Sequence, residues 1–310
     1  MIDSTDSVQR FDNRPLVARL ALGTAQIGAR YGATNRFPPP DAIEVGVMLE
    51  RAAATGVAWI DTAPAYGEAE ALLGPHLERF PNLRVATKIS SLTGIPPGEA
   101  GPELRRSVSR SLERLRRDRI ELLLLHRAAD LFRVDAADLQ TTLTQLKAAG
   151  TIERVGVSLY DPADLDAVLA ASELDVVQAP LNPLDRRFAA EDVRQKLRDR
   201  GIAFHARSLF LQGLLVAASP DLPNFAKHHA ALASWARWLS DHRISPVAAC
   251  LDTLRTSSWV EVGIVGAATA GQLTEILDGA AAVNEVPDFD LPSVDLDLID
   301  PRRWPAQTVN

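Results

Sequence analysis

Four residues in the first half of this 310-residue chain are matched for moving a proton: Asp61, Tyr66, Lys88 and His126. A tyrosine hydroxyl ordinarily loses its proton near pH ~10, which makes it a poor acid at neutrality. A lysine ammonium beside it favours the phenolate, and a carboxylate on the lysine keeps that lysine charged and in place. Such a tyrosine can protonate an alkoxide as it forms. A neutral histidine can donate a hydrogen bond to the same carbonyl oxygen and fix its orientation. An Asp–Lys pair alone would be a stabilising ion pair, with the other two residues unrelated to it. Four matched groups at the ends of three successive strands point instead to a reaction centre.

The elements that must hold them appear as an alternation. Short β-type runs are expected at 19–24, 58–63, 83–88, 120–126, 154–160, 176–181, 202–208 and 260–266. Helical patterns fall at 41–55, 68–80, 101–115, 136–149, 162–172, 190–200, 245–257 and 271–283, with extra helix near 226–241. Strands alternating with helices imply parallel pairing, and eight such units imply an α/β fold closed as a (β/α)₈ barrel. With no linker or composition shift, 1–310 is expected to be one domain, with a less regular tail from about 284. Asp161-Pro162 and Ser245-Pro246 each place an N-cap residue before a proline, and Gly56, Gly150 and Gly201 suit left-handed helix ends. The 37–40 stretch is expected to be a rigid loop.

Period two within a strand says which side chains share the barrel interior. Asp61 shares its face with Trp59, Lys88 with Ala86 and Arg84, and His126 with Leu124 and Leu122. Ser158 goes with Gly156, Gln178 with Val176, and Arg207 with His205 and Ala203. The last polar residue of each strand then lands at the C-terminal mouth, where barrel active sites are built. His205 lies deeper and is expected to be a satisfied core histidine.

Across roughly 16 to 283 the chain resembles the aldo-keto reductases. The resemblance rests on Leu22-Gly23-Thr24-Ala25, Asp61-Thr62-Ala63-Pro64-Ala65-Tyr66-Gly67, Ala86-Thr87-Lys88, and Leu122 to His126 followed by Arg127. Gly156-Val157-Ser158, Val177-Gln178, Leu209-Phe210-Leu211-Gln212-Gly213-Leu214 and Ile264-Val265-Gly266 continue it. It implies hydride transfer between a nicotinamide cofactor and an aldehyde, ketone, sugar or alcohol. Tyr66 would be the general acid or base, Lys88 and Asp61 its tuning pair, and His126 the carbonyl-orienting group. Ser158 and Gln178 would hold the carboxamide, with Gly23 and Thr24 in the same cofactor-binding set. Ser208, Leu209, Leu211, Gln212 and Gly213 would wrap the pyrophosphate. Gly266, Ala267, Ala268 and Gln272 would meet the adenosine end, with Glu275 at the adenine.

Three departures qualify the resemblance. Arg207 stands where many members stack an aromatic ring on the nicotinamide; a guanidinium can also stack, and its charge disfavours the oxidised ring. Leu159 replaces an asparagine that often accompanies the serine. The segment 266–272 has no Lys or Arg to grip a 2′-phosphate. The resemblance implies NADP(H) as cofactor, but that absence leaves NAD(H) open and predicts less than about tenfold preference for the phosphorylated form. Two other functions stay open on the same fold: a nicotinamide-binding regulatory subunit, and a Schiff-base aldolase using Lys88.

Composition narrows the partners. Forty acidic against 33 basic residues give a net charge of −7, which argues against nucleic acid and anionic membranes. The basic run from Arg105 to Arg119 overlies Leu104, Val108, Leu112 and Leu115 at helical spacing, as a solvated helix face would. Cys250 is alone, so internal disulfides and cysteine metal clusters are excluded, and no metal site is expected. The polar N-terminus lacks a signal-peptide core, so a cytoplasmic protein, a monomer or weak homo-oligomer, is expected. Loops 28–40, 127–135 and 214–225 are expected to shape the pocket for a small carbonyl or sugar substrate.

Overall fold

The computed structural model describes residues 14–282, 286–289 and 295–305. Within them, β1 (Leu20–Gly23) leads through α1 (Ala25–Gly28) and α2 (Ala42–Thr55) to β2 (Trp59–Asp61) and α3 (Ala69–Leu77). Then come β3 (Arg84–Ile89), α4 (Ala100–Leu115), β4 (Ile120–Leu125) and α5 (Ala136–Ala148). β5 (Ile152–Ser158), α6 (Leu165–Ala171), β6 (Val176–Pro180), α7 (Glu191–Asp199) and β7 (Ala203–Arg207) follow. Two helices, α8 (Ala230–His242) and α9 (Pro246–Arg255), precede β8 (Val260–Gly266), and α10 (Ala270–Ala281) and α11 (Leu296–Ile299) end the series. The eight strands pair in sequence order, all parallel, and β8 closes on β1.

Most of the helices carry an apolar stripe that they bury on the sheet, while α8 and α11 bury theirs in a separate cluster with Leu211, Cys250 and Trp304. In α4, Leu104, Val108 and Leu115 are buried while Arg105, Arg106 and Arg110 stay in water. The basic run is therefore a solvated face, and its pairs with Glu103 stabilise little at that exposure. Asp161 caps the turn entering α6 through Ala163 N, whereas Ser245 makes no side-chain cap and leaves α9 to start on Pro246. Gly56, Gly150 and Gly201 all adopt the left-handed conformation their positions require.

Beside the cluster of α8 and α11, two layers of core result. The larger lies between sheet and helices. Inside the barrel, Ala21, Trp59, Ala86, Leu122, Leu124, Val176, Ala203 and Val262 pack as a separate plug. The inward sets read from period two agree with this plug. His205 is fully buried within reach of Glu261 at 3.3 Å and against the edge of Trp59, a satisfied core histidine as expected. Cys250 is free and buried under α8, and burial raises its thiol pKa. No helix of the described residues is long and apolar enough to cross a membrane.

Candidate active site

The register sets the reactive groups at successive heights of one mouth. Asp61 ends β2 opposite Ala86 of β3, so the inward residue two further on, Lys88, stands one tier above it. Its long side chain bends back and the ammonium reaches Asp61 Oδ1 at 2.7 Å and the Thr62 carbonyl at 3.0 Å. The second carboxylate oxygen accepts from Gln178 Nε2 at 2.8 Å. Both oxygens of this buried carboxylate are thus held, as a buried charge requires.

Tyr66 is placed by two glycines rather than by the strand. Gly28 and the backbone around Tyr66 approach so closely that a Cβ on Gly28 would lie 1.4 Å from the Tyr66 carbonyl oxygen. Gly67 is left-handed, at φ 55°, and a Cβ there would strike Gly28 in turn. The clamp brings the Tyr66 ring to 5.0 Å from the Lys88 ammonium. The His126 ring stands edge-on to it, with centroids 6.3 Å apart. His126 lies one residue beyond the end of β4 rather than inside it.

The electrostatics depart from expectation at one point. Burial raises the Tyr66 pKa and outweighs Lys88, which pulls it down. Lys88 loses more to burial than to any other single influence, yet Asp61 and Tyr66 together hold it above its usual range. Tyr66 is therefore a protonated acid kept from being weaker still by Lys88, not a phenol lowered toward neutrality. Burial, reinforced by the Lys88 charge, takes His126 down to about 4, so the imidazole is neutral at physiological pH.

These groups open into one cavity of about 820 Å³, within the range of roughly 300–1,000 Å³ usual for ligand sites. Gly23, Thr24, Ser158, Gln178, Arg207, Ser208, Leu209, Gln212, Gly213, Gly266, Ala268, Gln272 and Glu275 line it with the four reactive residues. Leu211 and Ala267 do not; their side chains are buried in the cores, which leaves only their backbones for any ligand. Leu159 likewise turns its side chain into the core, and its carbonyl accepts from Arg207 at 2.9 Å. Of the expected pocket loops, 127–135 contributes no lining residue, while residues around 29–37 and 208–221 do. The parts of the tail at 283–285, 290–294 and 306–310 lie outside the described residues.

Several lining residues were not singled out in the sequence, though Tyr31 falls in the 28–40 loop expected at the pocket. Tyr31 and Tyr160 join Tyr66, so all three tyrosines of the chain face one cavity. Tyr160 stands two residues after Ser158 and was legible by parity. Gln26 abuts Gly266. Arg302, beyond α11, folds over the mouth; its guanidinium and that of Arg207 lie 4.4 and 4.0 Å from the Tyr160 ring centroid. No local pattern in the tail marks it.

The donor set fits a nicotinamide dinucleotide. Ser208, Leu211, Gln212 and Gly213 all have left-handed φ, and strain of this kind is characteristic of ligand-holding loops. The Gln212 side-chain oxygen is buried without a partner beside that loop, a polar atom in want of a donor.

The chain is thus a closed parallel barrel whose C-terminal mouth gathers a protonated tyrosine, a lysine–aspartate pair and a neutral histidine. The model of the aldo/keto reductase family matches residues 19–294, and the chain belongs to that family. It is 31% identical over 219 residues to the NADH-specific methylglyoxal reductase of Escherichia coli strain K12, covering 64% of this chain and 65% of that protein. The match thus spans just under two thirds of the relative. It is 27% identical to a D-threo-aldose 1-dehydrogenase from Pseudomonas sp, covering 85% of this chain and 92% of that one. The holo form of an aldo-keto reductase from Bacillus halodurans shares the fold at a TM-score of 0.68 and 21% identity, over 86% and 88% of the two chains.

Proposed function

We propose that the protein is an NAD(P)-dependent oxidoreductase that reduces small aldehydes or ketones, or oxidises sugars, with Tyr66 as general acid or base. The observation that carries this reading is the contact set in one cavity: Lys88 at 2.7 Å from Asp61, its ammonium beside the Tyr66 ring, and neutral His126 edge-on to that ring. The bound cofactor would supply or accept a hydride. Ser158 and Gln178 would hold its carboxamide, Gln178 with its oxygen and with the amide hydrogen not given to Asp61. Arg207 would stack near the ring, residues 208–213 would cradle the pyrophosphate, and Gly266 to Glu275 would meet the adenosine.

His126 donates to the carbonyl oxygen and orients it. Tyr66 delivers its proton to that oxygen as negative charge develops there, and Lys88 stabilises the phenolate left behind. Asp61 keeps Lys88 charged throughout. That pairing weighs against an aldolase, because a lysine held protonated is no nucleophile. An intact proton donor weighs against a purely regulatory role. The relatives' names suggest a 2-oxoaldehyde such as methylglyoxal, or an aldose, as substrate. Among the described residues the exposed large apolar side chains are few, Phe37, Ile43, Val47, Phe132 and Val134, which suits the cytoplasmic monomer or weak homo-oligomer we take to accompany this activity. Steady-state assays with methylglyoxal and an aldose panel, in both directions, test the reading; no turnover with any member overturns it.

A further inference from the structure

Hydride and proton reach the two atoms of one carbonyl group, so the redox end of a dinucleotide must lie against Tyr66. From there the cavity continues past Gly23 and Gly266 to Ala268, Gln272 and Glu275 at the start of α10. The adenosine half must occupy that far end. A helix N-terminus following the last barrel strand is ordinarily a place for phosphate, because its amides are unsatisfied and its dipole favours anions.

In this chain the α10 N-terminus is already taken by the protein's own acceptors. Thr269 Oγ1 accepts from Gln272 N at 3.1 Å, and Gln272 Oε1 accepts from Ala268 N at 2.8 Å. The third acceptor is a full negative charge: Glu44 Oε1 accepts from Ala270 N at 2.7 Å. Glu44 is three residues past Asp41, the N-cap of α2, whose Oδ1 accepts from Glu44 N at 2.9 Å. A glutamate in that position ordinarily folds back on the cap amide to complete a capping box. Here it instead crosses to an element 226 positions away, reached because β1 pairs with β8 and sets α2 against α10. Glu275, on the first turns of α10, puts a carboxylate on the cavity wall, which Glu44 itself does not line, and 264–282 contains no lysine or arginine.

We propose that Glu44 is the cofactor-specificity residue of this protein, a resident anion on the α10 N-terminus that makes the site take NAD(H) in preference to NADP(H). The proposal rests on the oxidoreductase reading above. A 2′-phosphate brings nearly two more negative charges to an amide that is already satisfied and a carboxylate that repels it. A free ribose diol brings no charge, so Glu44 does not repel it.

Dissociation constants for NADH and NADPH, from fluorescence titration at one ionic strength, test it in the wild type and in Glu44→Gln. Glutamine keeps an oxygen for Ala270 N and removes only the charge, so the helix start survives. The wild type should bind NADH at least about tenfold more tightly, and Glu44→Gln should tighten NADPH about tenfold while moving NADH less than about threefold. Equal or tighter NADPH binding by the wild type overturns the assignment without any variant. A ratio unmoved by Glu44→Gln overturns it too, with the oxidoreductase reading intact. Failure of both dinucleotides to bind the wild type overturns both.

Discussion

The two ends of this barrel both carry charged side chains and treat them in different ways. Near the N-terminal ends of the strands, Arg154 holds Glu261 with two bonds of 3.1 and 2.8 Å, and His205 approaches the same carboxylate. Arg84 pairs with Glu153 and lies over Trp59, while Glu121 accepts from Val85 N and meets Arg119. Each of these side chains has an opposite charge beside it. At the C-terminal mouth Asp61 and Lys88 are paired, but Arg207 meets no carboxylate among the described residues. Gln212 keeps an unpartnered oxygen, and three non-glycine residues nearby are left-handed. A satisfied network stabilises a fold; an incomplete one beside a strained loop and a cavity is arranged for something that binds.

The sharpest way to break this contrast is at Tyr66. Tyr66→Phe should lower carbonyl reduction by about 10²–10⁴-fold while leaving dinucleotide affinity within about threefold, because the hydroxyl supplies a proton and does not hold the cofactor. Retention of more than about a tenth of turnover would remove Tyr66 as the acid. Lys88→Met should follow, with a smaller loss and a change of shape. Lys88 is the strongest influence lowering the Tyr66 pKa, so its removal should push the alkaline-dependent oxidation of alcohols to higher pH. An unshifted profile with reduced height would make Lys88 a spacer.

At the opposite end the same kind of change should affect stability alone. Glu261→Gln leaves Arg154 half-buried without its carboxylate, and breaking a buried pair costs roughly 3–5 kcal/mol, less where water reaches it as it does here. Turnover of the folded fraction should not change. His205 and Arg154 hold the Glu261 pKa at about 2, down from 4.5, against a burial effect that raises it. A depressed carboxylate contributes stability that is fully present above the unfolded value and is lost as pH falls toward the folded one. Wild-type stability should therefore drop between about pH 4.5 and 2, and Glu261→Gln should flatten that part of the curve in denaturant titrations. The smallest effect belongs to Arg207→Ala, which should weaken nicotinamide cofactor binding by about tenfold, some 1.4 kcal/mol, while Arg84→Ala leaves it unchanged. Equal effects of the two would erase the distinction between the ends.

How much of this was legible beforehand depends on the range of the cause. The inward set Trp59, Ala86, Leu122, Leu124, Val176 and Ala203 follows from period two, a property of each strand alone, and the plug agrees with it. The meeting of Asp61 with Lys88 follows from strand order. Glu44 on α10 and Arg302 over Tyr160 depend on where distant elements come to rest, and no local pattern encodes that. The Tyr66 pKa direction was misjudged for a related reason: the lysine is visible in sequence, but the depth of burial that outweighs it is not.

The central claim is that the mouth passes a hydride from a nicotinamide to a carbonyl carbon. The direct measurement is a single turnover of methylglyoxal with reduced dinucleotide carrying deuterium at the transferred position, analysed by mass spectrometry of the product. We predict one deuterium bound to the new carbinol carbon with the wild type and none with Tyr66→Phe on the same timescale. Saturable dinucleotide binding with no labelled product from methylglyoxal, or from any carbonyl of the panel, would contradict it.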